Sequence, residues 1–157
     1  MNILVISDTH GNTDRAREAL RRAWPVDVVV HLGDGCADAE QLRNSLDIPV
    51  VNVAGNCDLG CNTPRELLWA CENKKILLTH GDLYGVKNGL LTLEMRARET
   101  GADAVLFGHS HLPIALTLPG LLMLNPGTLA TASHLSCSFA IMMVTPGDIS
   151  AQLCNFE

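Results

Sequence analysis

A chain of 157 residues, 47% hydrophobic and 18% charged, is expected to form one domain spanning 1–157. Its net charge of −6, from 11 Lys and Arg against 17 Asp and Glu, lacks the basic footprint of a protein that binds long nucleic acid. It carries no apolar run long enough for a membrane span, the start Met1-Asn-Ile-Leu is read as a first strand and not a leader, and six cysteines without framework spacing fit a reducing cytoplasm better than a disulfide scaffold.

The first strand is expected at Ile3-Leu4-Val5-Ile6, whose lack of polar alternation marks burial on both faces. Ala16, Ala19, Leu20, Ala23 and Trp24 then share one helical face, and Pro25 ends that helix. Val28-Val29-Val30 gives a second strand, about Ala37 to Asn44 a second helix, Val50 to Val53 a third strand and Ile76-Leu77-Leu78 a fourth. A third helix is predicted from about Lys87 to Thr100, closed by Gly101, followed by a buried strand over Ala104 to Phe107. Beyond His111 the pattern turns antiparallel: Ile114 to Leu118 and Leu121 to Leu124 around Pro119-Gly120, then Phe139 to Val144 and Ile149 to Cys154 around Pro146-Gly-Asp148. The Leu- and Met-rich late strands are read as core in preference to a homo-oligomer interface.

Five of the apolar runs end in blocks rich in metal-binding side chains. These are Asp8-Thr-His10, Gly33-Asp34, Gly55-Asn56-Cys57-Asp58, His80-Gly81 and Gly108-His109-Ser-His111. Sites in open α/β sheets form at the carboxyl ends of strands, where loops diverge. The candidate metal ligands are Asp8, His10, Asp34, Asn56, His80, His109 and His111, a set of oxygen and imidazole donors that suits manganese, iron, zinc or nickel. Seven ligands are too many for one tetrahedral ion but suffice for two divalent ions, with the Asp34 carboxylate giving an oxygen to each. Such ions stand roughly 3.5 to 4 Å apart and lower the pKa of bound water to about 7, making hydroxide available at neutral pH. Two carboxylates cancel only half the charge of two divalent ions, so an anion such as a phosphate ester is the expected guest.

In order and spacing, these blocks resemble the calcineurin-like metallophosphoesterases. The forms Asp8-Thr-His-Gly11, His31-Leu-Gly-Asp34, Gly55-Asn-Cys-Asp58, Thr79-His-Gly81, Gly108-His-Ser-His111 and Asn125-Pro-Gly-Thr128 are similar to the small bacterial and archaeal phosphodiesterase branch. The resemblance covers positions 3 to about 128 and implies an α/β fold, a four-layer α/β/β/α sandwich of two mixed sheets flanked by helices. It implies that Asp8, His10 and His111 hold one ion, that Asn56, His80 and His109 hold the other, and that Asp34 bridges them. Asp58 is then a carboxylate that orients its neighbours, and Asn56, Cys57 and Asp58 are the candidate catalytic residues. The implied activity is hydrolysis of a small phosphodiester by attack of metal-bound hydroxide, with manganese the favoured metal.

Many relatives carry His where this chain has Cys57, and a thiol, with a reference pKa of about 8.5, is expected to tend toward thiolate beside two cations, which leaves it a poor proton donor to a leaving group. Substrates with good leaving groups are therefore expected to be favoured. The Arg that relatives carry after the block at Asn125 is missing, and Leu129-Ala-Thr-Ala-Ser-His134 follows instead, with His134 read as structural. His31 is read as packed at a strand end, Asp82 and Asp103 as turn residues, and Arg15, Arg17, Arg21 and Arg22 as a solvated helix face. Cys57 and Cys61 lack the second pair that a zinc site needs. The alternative from another class is a non-enzymatic protein-interaction scaffold on the same fold, as in the retromer subunit, although the ligand set here is complete.

Overall fold

In the computed structural model, which describes residues 1–131 and 136–157, every apolar run named above becomes a strand. In chain order these are β1 (Asn2–Ile6), β2 (Val28–His31), β3 (Val50–Asn52), β4 (Glu66–Cys71) and β5 (Lys74–Thr79). They are followed by β6 (Ala104–Leu106), β7 (Ile114–Leu118), β8 (Leu121–Asn125), β9 (Ser138–Val144) and β10 (Ile149–Asn155). The helices are α1 (Thr13–Ala23), α2 (Cys36–Ser45) and α3 (Leu91–Glu99). One five-stranded sheet runs β10-β9-β1-β2-β3, with β1, β2 and β3 parallel and β9 and β10 antiparallel. The other runs β4-β5-β6-β8-β7, with β5, β6 and β8 parallel between antiparallel edges. The late hairpins thus serve different sheets, β8 beside β6 and β9 beside β1.

The layers follow from the pleat. Ile3, Val5, Val28 and Val30 face Ile76, Leu78, Leu106 and Leu124 in the core between the sheets. The alternate residues Leu4, Ile6 and Val29 point the other way, onto Ala16 and Ala19 of α1 and Ala39 and Leu42 of α2. Leu77, Val105 and Met123 do the same against Leu93 and Ala97 of α3. Both faces of the central strands are therefore dry, which is why their sequences show no polar alternation, and each fully buried aliphatic side chain contributes roughly 1.5–3 kcal/mol. β8 is buried throughout, so it belongs to the core.

Four sequence expectations need correction. Trp24 lies beyond the end of α1 and is 62% exposed, because the residue before a proline is driven out of the helical region. The third helix begins at Leu91 and not near Lys87: Gly85 and Gly89 take positive φ (60° and 143°), and a 3-10 turn at Asp82–Tyr84 comes first. β4 was not anticipated. Its Leu67 and Trp69 pack on the core between the sheets, and its turn to β5 uses Glu72 and Asn73, both at positive φ, without the glycine that usually marks such a hairpin. Finally, Cys36 and Cys61 form a disulfide across 25 residues, with Cα atoms 6.7 Å apart. Residue spacing could not reveal this pair, because the loops after β2 and β3 meet only in the folded chain. Among the described residues, no helix is long and apolar enough to cross a membrane. His134 lies outside the described residues.

Candidate metal centre

The carboxyl ends of β1, β2, β3, β5 and β6 lie along one edge of the sandwich, and the five ligand blocks are the loops that leave them. Backbone bonds sew these loops together. Asp8 N donates to Gly33 O at 3.0 Å, His10 N to Asp34 O at 3.1 Å and Gly108 N to His80 O at 2.8 Å. The close approach depends on glycine at two points. A Cβ on Gly33 (φ +100°) would lie 2.7 Å from Gly55 N, and one on Gly108 would lie 2.7 Å from Asp8 Oδ2 and closer still to Ser7 Oγ. Asp8, His10, Asp34, His109 and His111 themselves all take positive φ, between 44° and 68°. Non-glycine residues in that region cost of order 1–3 kcal/mol each and persist only where the surroundings force them.

Asp8 and His80 are fully buried and Asp34 nearly so, whereas His10 and His111 are partly exposed at the rim. Asp8, His10 and His111 converge, with His111 Nε2 3.1 Å and His10 Nε2 3.8 Å from Asp8 Oδ1. Asp8, Asp34 and His80 form a second group, His80 Nε2 standing 3.3 Å from Asp34 Oδ2 and 3.9 Å from Asp8 Oδ1. Asp34 Oδ2 is also 3.7 Å from His10 Nε2, so this carboxylate stands between the two groups. The His109 ring packs edge-on against His80 with centroids 5.0 Å apart, and its backbone N–H donates to Asp8 Oδ2. Asn56 stands exposed beside Cys57, its amide 3.6 Å from the thiol, and Cys57 N donates to Asp34 Oδ1 at 2.8 Å.

The donor set fits divalent ions. His80 Nδ1 donates to the carbonyl of Leu32 at 2.8 Å, which leaves Nε2 turned toward two carboxylates. That buried nitrogen has no hydrogen-bond partner among the described residues. Such an arrangement is repulsive unless a cation or a proton lies between the groups. Separations of 3.1 to 3.9 Å between donor atoms are near what ligands about 2.0–2.2 Å from a common ion would show. The charges agree. Burial acts to raise the Asp8 carboxyl pKa, but hydrogen bonds from His111 and Ser7 and the charge of His80 outweigh it and hold it below the usual range. For Asp34, burial is likewise overcome by His80 and the Cys57 N–H. Burial lowers the His80 pKa, yet Asp34 and Asp8 raise it further than burial depresses it. Burial, followed by nearby Lys87, lowers His109 and favours a neutral imidazole.

Five residues around the cluster act on the loops. Asp58 accepts from Asp34 N, Gly35 N, Cys36 N and Gly55 N at 2.7 to 2.9 Å, pinning the β2 loop, the start of α2 and the β3 loop to one carboxylate. Asp38, which sequence reasoning missed, accepts from Thr9 Oγ1 and from Gly11 N, the latter at 2.8 Å, and so holds the β1 loop. His31 is fully buried, accepting from Gly33 N and bonding Thr9 Oγ1 at 2.9 Å, so it braces the first two ligand loops from beneath. In the block at Asn125, the Asn125 amide donates to Gly108 O and Ser110 Oγ, and Thr128 Oγ1 donates to Asp8 O. The sequence offered only an Asp in the first turn of the second helix as a signal for Asp38, and an acidic residue there is common for helix-dipole reasons alone.

A two-sheet sandwich whose strand ends gather carboxylates and imidazoles around cation-sized gaps is the framework of a metal-dependent phosphoesterase. The chain belongs to the calcineurin-like phosphoesterase superfamily, whose domain model matches residues 1–147. It is 42% identical over 130 residues to the probable metallophosphoesterase YsnB of Bacillus subtilis, covering 82% of this chain and 75% of that one. It is 30% identical over 154 residues to phosphodiesterase YfcE of Escherichia coli K12, covering 83% and 80%. A predicted phosphoesterase from Streptococcus pneumoniae superposes with a TM-score of 0.76 at 27% identity, covering 98% and 97%. Wild-type Vps29 of Entamoeba histolytica, solved with Zn2+, superposes equally well (TM-score 0.76) over the whole of both chains, but at 20% identity that likeness concerns the fold alone.

Proposed function

We propose that this chain, acting as a single domain, is a phosphodiesterase with a dinuclear centre. In this reading Asp8, His10 and His111 hold one divalent ion, Asn56, His80 and His109 the other, and Asp34 bridges. The observation that carries the proposal is buried His80 Nε2, without a hydrogen-bond partner among the described residues and gathered with the carboxylates of Asp8 and Asp34 at a cation-sized gap. When bound, the two ions supply Lewis acidity toward a phosphoryl oxygen and an activated water as nucleophile. Manganese is the favoured metal, with nickel, zinc or iron able to use the same donors. The protein's part is to fix donor positions. Asp58 holds the two loops on either side of Asp34, the Leu32 carbonyl sets the His80 tautomer, and the Ser7 hydroxyl orients Asp8. The small substrate enters from the rim that His10, Asn56, Cys57 and His111 line. We assign the protein to the cytoplasm, since four of its six cysteines (Cys57, Cys71, Cys137 and Cys154) are free.

The test is hydrolysis of bis(p-nitrophenyl) phosphate by metal-stripped protein with manganese, nickel, zinc or magnesium restored. The expected result is turnover that returns with metal and is lost in Asp34→Asn and in the Asp8→Ala/His111→Ala double variant. Full activity of Asp34→Asn with two ions bound would overturn the bridging role. Binding of two ions without turnover on any metal would favour the scaffold reading, for which the shared fold with Vps29 provides the precedent.

A further inference from the structure

Next to His10 the surface opens into a groove of about 840 Å³ along α1, lined by Asn12, Arg15, Glu18, Arg21 and Arg22. The sequence reading gave these arginines to a solvated helix face, and Arg21 and Arg22 are indeed exposed, while Arg17 turns away to bond Ser45 Oγ at 3.1 Å. Arg15 and Arg22 are stacked, their Cζ atoms 4.9 Å and 4.8 Å from the centroid of the Phe156 ring. Phe156 is itself 9% exposed and packs on Phe139 with centroids 5.3 Å apart, so the last strand delivers a fixed aromatic platform to the groove wall. Stacking occupies the face of a guanidinium and leaves its edge N–H donors pointing outward, the geometry that recognises phosphate.

The charge of the groove is also unusual for this protein. Glu18 alone pairs with both Arg21 and Arg22, and Arg15 has no ion pair among the described residues. Three arginines face two carboxylates, Asp14 and Glu18, leaving the lining at net +1 in a chain whose net charge is −6. Two turns of α1 separate Arg15 from Arg22, about 10 Å along the axis, and the groove ends at His10, whose Nε2 is 3.7 Å from Asp34 Oδ2. A molecule that places a phosphodiester at the cluster can therefore extend its organic arm past His10 into the groove that the arginines line.

We infer that the α1 groove is a subsite for a second phosphoryl group on the organic arm of the substrate, held by Arg15 and Arg22 with Arg21 at its outer end. The substrate class is thus a phosphodiester whose alcohol is itself phosphorylated, as in a nucleoside bisphosphate ester. This rests on the phosphodiesterase reading above.

The test uses the p-nitrophenyl ester of thymidine 5′-phosphate with and without a 3′-phosphate, on manganese-loaded wild type and an Arg15→Gln/Arg22→Gln variant. The 3′-phosphate is expected to lower KM about tenfold in the wild type, the scale of one partly exposed charge-assisted contact. The variant loses that advantage and retains wild-type kinetics on the unphosphorylated ester. Because Arg15 and Arg22 cover Phe156, Arg21→Gln provides a second variant whose side chain is 75% exposed, expected to lose part of the same advantage. Equal KM for the two esters in the wild type, or an advantage undiminished in both variants, overturns the subsite and leaves the phosphodiesterase intact. If neither ester is hydrolysed, the phosphodiesterase reading fails and equilibrium binding decides the subsite. Tighter binding of thymidine 3′,5′-bisphosphate than of thymidine 5′-phosphate, lost in the double variant, supports it, and equal binding overturns it.

Discussion

At the scale of single residues, the site is organised by which groups are denied water. His31 lies beneath the ligand loops, and burial drives its imidazole down to about 4, against weaker opposing pulls from Asp8, Asp38 and Asp58. Its folded pKa is below the unfolded value of 6.5, so the unfolded chain binds the extra proton first. The stability this residue allows is complete above pH 6.5 and is lost as pH falls toward 4, by about 3 kcal/mol. Its Cε1 proton resonance should not titrate above pH 5, and a midpoint near 6.5 would show that the ring is not sealed from solvent. At Cys57 the residual desolvation, then Asp34, Asp58 and Asp8, push the thiol up, so without metal it stays protonated and is a weaker acid than an imidazolium. Cys57→His is expected to raise kcat on poor-leaving-group diesters by roughly tenfold or more and to leave bis(p-nitrophenyl) phosphate nearly unaffected. No gain on the poor leaving group would remove the leaving-group explanation.

At the scale of elements, the ligand loops are held in a conformation that their own sequences disfavour. Five of the seven candidate ligands have positive φ, and what keeps them there is contact with neighbouring loops. Gly33→Ala puts a methyl 2.7 Å from Gly55 N and 2.9 Å from its Cα, backbone atoms that cannot move aside as a side chain could. Together with a φ of +100°, this should cost on the order of 3 kcal/mol in urea denaturation and abolish metal binding. Wild-type metal affinity in that variant would mean that the loops are not locked against each other. Asp58→Ala removes the shared acceptor of four backbone N–H groups and should destabilise the fold by about 3 kcal/mol. Metal affinity should fall roughly 10- to 100-fold with it. A change in affinity without a change in stability would instead place Asp58 among the ligands.

At the scale of the whole molecule, the two sheets and three helices form a rigid frame whose weakest point electrostatically is the cluster itself. The carboxylates of Asp8 and Asp34 are buried together beside His80 Nε2, and a cation joining them relieves their repulsion, so ion binding and folding are expected to be coupled. Holding free manganese at 100 times its dissociation constant should add about 2.7 kcal/mol, a rise in Tm of about 5 to 10 °C over chelated protein. An unchanged Tm after chelation would mean that the cluster does not bind the metal. Because the sandwich is closed by buried aliphatic layers on both sides of each central strand, that gain comes from the site and not from repacking elsewhere.

The sequence by itself determined every strand but β4, the family and the convergence of the ligand blocks, because short apolar runs without alternation between turn residues read as doubly buried strands and loops after parallel strands share an edge. Ile3 to Ile6, Val28 to Val30 and Ala104 to Leu106 needed no tertiary information. The tertiary structure alone decided what no local pattern encodes. Leu67 and Trp69 form an edge strand through a glycine-free turn, and Cys36 meets Cys61 where Asp58 also ties the two distant loops together. Phe156 turns two helix arginines toward the groove beside His10, although the ring lies more than 130 positions from either. Local spacing fixes which face of an element a residue occupies. Which distant group meets it there is set by the packing of the sheets, and the charges, strain and hydrogen bonds of this site arise from those long-range meetings.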